Sequence, residues 1–282
     1  TNPKHRAEAE QTVGQFLGNL GAKLDGAGRG HRRTSEEGNG DALLRALVGE
    51  QGLASKSRVD RSPLCEHRVE REVHSRESFI AAQLDTNATD ARTILPLIGK
   101  DLWFTGEAAA DGTPERLRQR ALELLAAWDG DMNEHLPEPL IYAAWARALQ
   151  ARLIRDELGP LSEAFSRVEP LFIERVYKNV DGAGHWCDVL QSAPVETCSD
   201  IARMALDDAL LDLTKRYGPQ IESWRWGDAH EATQDHPALG KAPFLKWVVN
   251  IRQSTSGGDH TLMRGLTGGD PAQPWLNVDG PV

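Results

Sequence analysis

Apolar positions recur at helical spacing in three long segments of the chain. In the first, Thr113-Pro114-Glu115 supplies a cap, a proline at the first helical position and an acid near the positive end of the helix dipole. Leu117, Ala121, Leu124, Leu125 and Trp128 then fall on one face, and Asp129-Gly130-Asp131 ends the helix. The second segment runs over about residues 139–158, with Leu140, Ala144, Trp145, Leu149 and Leu153 in line and Gly159-Pro160 as its stop. The third covers about 199–217, where Ile201, Ala205, Ala209, Leu213 and Tyr217 keep the spacing and Gly218-Pro219 closes it.

Around these helices the pattern is less regular. Ser75 is placed to cap a helix carrying Phe79, and Ser78 stands where a capping box takes Glu or Gln. Phe79, Leu84 and the run Ile94-Leu95-Pro96-Leu97-Ile98 supply apolar anchors. Phe244 to Ile251 reads as a helix end or a strand, between turns rich in glycine. Residues 1–71 are rich in Gly and charge, and only Asp41-Ala42-Leu43-Leu44-Arg45-Ala46-Leu47-Val48 has a helical pattern. A sparse apolar content predicts a poorly ordered arm there. The expected division is therefore an arm over 1–71 and a folded region over 72–282. That region is helical to 218 and mixed, aromatic and Gly-rich from 219.

Composition narrows the partners. The net charge of -10 over 282 residues argues against nucleic acid, because an acidic surface repels phosphates. No apolar stretch approaches the roughly 20 residues that span a bilayer, so no membrane segment is expected. No charged-then-apolar leader opens the chain.

Candidate chemistry is sparse. Gly26-Ala27-Gly28-Arg29-Gly30 lacks the preceding strand and the Gly-Lys-Ser/Thr ending of a phosphate loop, and the basic cluster from Arg29 to Arg33 reads as a solvated loop. His185, His230 and His236 match no zinc spacing, and Asp129 and Asp131 lack the rest of a calcium loop. Thr1 is the one candidate nucleophile, since a terminal amine can act as base for its own hydroxyl. The polar Asn2-Pro3-Lys4-His5-Arg6 after it is not the strand such a nucleophile needs, so a fragment boundary is the plainer reading. Cys187 and Cys198 close a short loop containing Pro194 and are either a disulfide or two buried thiols; Cys65 is left over.

One ordered set of motifs goes further. Trp224-Arg225-Trp226-Gly227-Asp228-Ala229-His230 precedes His236-Pro237-Ala238-Leu239-Gly240 and then Gly257-Gly258-Asp259-His260-Thr261. Upstream stand Phe79-Ile80-Ala81-Ala82-Gln83-Leu84-Asp85, Ala127-Trp128-Asp129-Gly130, Trp186-Cys187-Asp188 and Glu196-Thr197-Cys198. This order resembles the penicillin-acylase (penicillin amidase) family over about residues 74–282. The resemblance implies an α+β parent of the N-terminal-nucleophile type, an αββα sandwich cut from one precursor into two chains. This chain would supply the helical insert and part of the later sheet of the large subunit. It implies an amidohydrolase acting on acyl amides, such as penicillin side chains or N-acyl homoserine lactones. A terminal Ser, or another hydroxyl or thiol residue, attacks the carbonyl and an Asn holds the oxyanion.

The family's nucleophile followed by Asn-Asn-Trp, its Asn-Asn oxyanion segment and its Arg-x-x-Arg-Ile segment are not found in the chain. The first 70 or so residues are expected to be divergent or read in a shifted frame, the family chain to continue past Val282, and the fragment to be inactive alone. The partners implied are a small-molecule acyl amide, the small subunit and the remaining large-subunit segments. Calcium enters by resemblance only. Periplasmic or secreted localisation is implied as well, and with it a Cys187–Cys198 disulfide, because an oxidising compartment lets thiols pair, leaving Cys65 free. Trp224, Trp226 and Trp247 are expected to pack in the core, and Arg225 and His230 to be candidates for the substrate wall. The rival reading is a catalytically dead helical binding or scaffold module.

Overall fold

The computed structural model describes residues 75–103, 107–165, 167–190, 192–263, 265, 267, 268, 274 and 275. Thr1, the 29–33 cluster, the 41–48 segment and Cys65 lie outside the described residues, and so does the expectation of a poorly ordered arm over 1–71.

In chain order the helices are α1 (Arg76–Gln83), α2 (Thr89–Gly99), α3 (Pro114–Ala127), α4 (Glu138–Leu158), α5 (Pro170–Tyr177), α6 (Cys198–Tyr217) and α7 (Trp226–Ala229). Strand β1 (Glu231–Gln234), helix α8 (Lys246–Val249) and strand β2 (Ile251–Ser254) follow. The strands pair antiparallel, with Glu231 opposite Ser254 and Gln234 opposite Ile251. The described fold is thus mostly helical with one small sheet, an α+β arrangement.

The local chemistry accounts for the long helices. Thr113 Oγ1 accepts the Arg116 N–H ahead of α3. At the start of α6, Thr197 and Asp200 form a reciprocal capping box, which satisfies donors that the helix leaves unpaired. Helix α4 is buried on most sides and α6 packs along it, with α2 and α3 flanking the pair. Trp145 of α4 is fully buried, and its Nε1 donates to the Ala202 carbonyl of α6 at 2.9 Å. The buried Gln150 amide is satisfied on both sides. Its Nε2 donates to the carbonyls of Phe165 and Arg167, and its Oε1 accepts the Glu169 N–H. A two-pronged ion pair ties α3 to α6, with Arg118 Nε and Nη2 on the two carboxylate oxygens of Asp207 at 2.6 and 2.8 Å.

Several apolar residues do not sit where their identity suggests. Phe79 and Leu84 were expected as anchors, yet they are 49% and 62% exposed on the outer side of α1. Trp247 was expected in the core, yet it is 79% exposed on α8, in the connection between the two strands, with Lys246 Nζ 5.1 Å from its ring centre. Trp224 and Trp226 are buried as expected. Ile94 and Ile98 are buried on α2, a helix that accommodates Pro96 in its last turn.

Cys187 and Cys198 are joined as a disulfide, with Cα atoms 4.9 Å apart and a sequence separation of 11. The bond ties the turn carrying Trp186 to the first residue of α6. Reducing it is expected to lower the unfolding free energy by about 2–3 kcal/mol, because the open chain regains loop entropy. Urea titration with and without reductant checks this, and a Cys187→Ala/Cys198→Ala variant should match the reduced protein.

Candidate functional site

The aromatic and glycine-rich motifs meet around one short helix. Trp226 opens α7, and its N–H donates to the Leu136 carbonyl at 2.9 Å. The next N–H, of Gly227, donates to Glu134 O at 2.9 Å. A Cβ on Gly227 would stand 2.9 Å from the Ser254 Cβ and 3.0 Å from the Glu134 Cβ, so the two flanking backbones close in only because glycine is there. The Trp226 Nε1 donates to Gly257 O, while Gly257 N–H donates to Met132 O. Thr261 holds the turn shut. Its hydroxyl accepts Gly258 N–H at 2.9 Å and donates to Met263 O at 2.6 Å. The Gly-Gly-Asp-x-Thr string is therefore a structural hinge between Trp226 and the chain before α4.

A narrow cleft opens beside this hub. One wall is the face of α4 with Tyr142, Ala146 and Arg147, and the other is the 258–261 turn, with Trp226, Met132 and Asp90 at its floor. It offers about 50 Å³ to the centres of water-sized molecules, space for a few waters or a small head group.

Its polar groups are unusual for so confined a space. Asp90 is buried, its Oδ2 accepts the Tyr142 hydroxyl at 2.7 Å, and its Oδ1 has no hydrogen-bond partner. Burial raises the Asp90 carboxyl above the usual carboxylate range, opposed by the His260 charge and the Tyr142 hydrogen bond. The Tyr142 phenol is pushed well above its ordinary value by the same burial and by Asp90. Arg147 is half-buried, and desolvation lowers its guanidinium from its usual value against the pull of Asp259. Thr267 N–H and Oγ1 each bond to one oxygen of Asp259 at 2.7 Å.

The residues proposed for the substrate wall lie elsewhere. Arg225 Nη1 donates to the carbonyls of Glu222 and Trp224 at 2.7 and 2.6 Å, which clamps the turn ahead of α7. His230 is fully buried and stacked on Trp226, with ring centres 4.5 Å apart. Its Nδ1 lies 2.8 Å from Trp275 O, so this nitrogen carries the proton and ties the later chain to the hub. Burial lowers its pKa, which favours the neutral ring. Neither side chain lines the cleft. Asp90, Tyr142 and Arg147 carried no linear signal, whereas Asp259 and His260 stood inside the Gly-Gly-Asp-His-Thr string.

Asp129 Oδ1 accepts the Asp131 N–H and Asp131 Oδ1 accepts the Thr86 hydroxyl, so this turn is closed on itself. No group of three or more His, Cys, Asp or Glu side chains converges among the described residues. No described helix is long and apolar enough to cross a membrane.

The comparison with known families places the helical body and the hub built from these motifs in a family of amide hydrolases. Residues 42–281 match the family model for penicillin amidase, and the chain belongs to that family. No curated protein matches it.

Proposed function

We propose that the chain is part of an amidohydrolase that cleaves acyl amides of the penicillin side-chain or N-acyl homoserine lactone type. The observation that carries this reading is the family match over residues 42–281, a range that takes in the ordered motifs of the hub. In the reaction a terminal hydroxyl attacks the amide carbonyl, with its own α-amine taking the proton. The tetrahedral oxyanion collapses, the amine leaves with that proton, and water then releases the acid from the acyl-enzyme. The parent fold is the αββα sandwich of N-terminal-nucleophile enzymes. The small subunit and the other large-subunit segments complete it. The helical body of this chain buttresses that sandwich. Export to an oxidising compartment accords with the Cys187–Cys198 bond.

The second reading, a helical binding module without catalysis, draws support from the cleft. Each hydroxyl lining it is already engaged: Tyr142 donates to Asp90, Thr261 to Met263 O and Thr267 to Asp259. None of the three is poised as a nucleophile.

Activity separates the two. The purified chain alone is expected not to hydrolyse phenylacetyl anilides, since each missing oxyanion donor costs about 100-fold or more in rate. Co-production with the small subunit and the remaining large-subunit segments should restore release of the aniline, read by absorbance. Turnover by the chain alone that disappears in Thr1→Ala would instead place the nucleophile at Thr1. No turnover from the assembled protein would favour the binding module.

A further inference from the structure

The strongest unassigned feature is the guanidinium of Arg147. It sits half-buried on α4, in the cleft wall, and makes no hydrogen bond or ion pair with the described residues. A guanidinium carries five N–H donors, and here they meet the cleft rather than an acceptor on the described residues. The opposite charge it senses is Asp259, but both carboxylate oxygens of Asp259 are held by Thr267. A second buried group in the same lining also lacks a hydrogen-bond partner: Oδ1 of Asp90. An unpaired guanidinium and the unpartnered Asp90 Oδ1 and Trp275 Nε1 in the lining of one confined cleft describe a receptor more than a core.

We propose that this cleft binds a small organic carboxylate, its head on the Arg147 fork and its apolar body against Ala143 and Val168.

The chemistry of the walls selects the class. A planar fork of N–H donors matches the two oxygens of a carboxylate and gives short, charge-assisted bonds. Arg167 stands exposed in the same lining and adds positive charge. Two groups oppose an anion, Asp90 and Asp259. Burial keeps the Asp90 carboxyl toward its neutral form, so the Asp259 charge stands against two guanidinium groups, Arg147 and Arg167, and the balance suits one negative charge better than two. The half-buried Ala143 and Val168 give an organic body an apolar contact that hydrated inorganic phosphate cannot use. The room of about 50 Å³ admits the head group and a short chain, and a longer body would leave through the open side. The proposal does not rest on amide hydrolysis, although an acid of this class is what that reaction releases.

Calorimetric titration of the full chain tests it, with acetate, butyrate, phenylacetate, phenylacetamide and inorganic phosphate as separate ligands. Butyrate or phenylacetate should bind more tightly than acetate. Phenylacetamide and phosphate should bind about tenfold or more weakly than phenylacetate, since they lose the charge or the apolar match. Arg147→Met keeps the packing of the stem and should weaken the carboxylates by about tenfold or more, with Arg147→Lys in between. Equal affinity for phenylacetate and phenylacetamide, undiminished binding by a folded Arg147→Met, or no heat from any carboxylate would each overturn the proposal. Should Arg147→Met fail to fold by circular dichroism, the acid-against-amide comparison and Arg147→Lys decide it. Hydrolysis is read in a separate assay, so failure of the binding site and failure of the amidase reading remain distinct.

Discussion

Trp145→Ala is expected to lower the unfolding free energy by about 3–5 kcal/mol, enough to depress the melting temperature by about 10 °C or more. Trp145 is fully buried where α4 meets α6, and the rim of its ring lies 3.9 Å from where a side chain on Gly99 of α2 would begin. Truncation removes a large apolar area from the junction of three helices and leaves a cavity that rigid helices cannot close. It also removes the hydrogen bond to Ala202 O. Trp145→Phe keeps most of the volume and should cost about 1–2 kcal/mol, chiefly through that lost bond. Guanidinium titration of the two variants gives both numbers. An alanine variant within about 1 kcal/mol of the parent would mean that the α4–α6 junction is not where the stability resides.

Gly257→Ala is the other large effect, and its cause is backbone geometry. Gly257 has φ of +89°, and a Cβ there would stand 2.2 Å from Met263 O and 3.2 Å from Thr261 Oγ1. The left-handed conformation alone costs a residue with a side chain about 1–2 kcal/mol. The collision then forces the 257–263 turn open, which endangers the bonds from Gly257 N–H to Met132 O and from Trp226 Nε1 to Gly257 O. A total of about 3 kcal/mol or more is expected. Gly258→Ala is the control. Its Cβ would meet the Met132 Cε at 3.1 Å, the far end of a flexible side chain, so a loss under about 1 kcal/mol is expected. Similar losses at the two adjacent positions, measured by denaturant midpoints, would contradict this geometry.

The long helices were legible because their signals are local. Thr113-Pro114, the apolar face of α4 and the stops Gly159-Pro160 and Gly218-Pro219 act within one or two turns of where they stand. Helix α2 was read only as a string of anchors because Pro96 interrupts its pattern. Phe79, Leu84 and Trp247 stay largely exposed because an apolar side chain states a preference and not a depth of burial. The hub was visible as a set of motifs, although the stacking of His230 on Trp226 was not. The cleft was not visible. Arg147 looks like any other helical arginine until α2, α4 and the 258–261 turn come together and leave it without an acceptor among the described residues.

The short covalent loop ahead of α6 also bears on how the chain refolds from its reduced form. In an open chain the frequency with which two thiols meet falls as about the three-halves power of the segment between them. Cys187 and Cys198 are 11 residues apart, whereas Cys65 reaches Cys187 only across a segment roughly ten times as long. The near pair is therefore favoured by about 30- to 40-fold before any tertiary structure forms. The odd cysteine is a poor competitor for oxidation on statistical grounds alone, and α6 begins with its first residue already tethered.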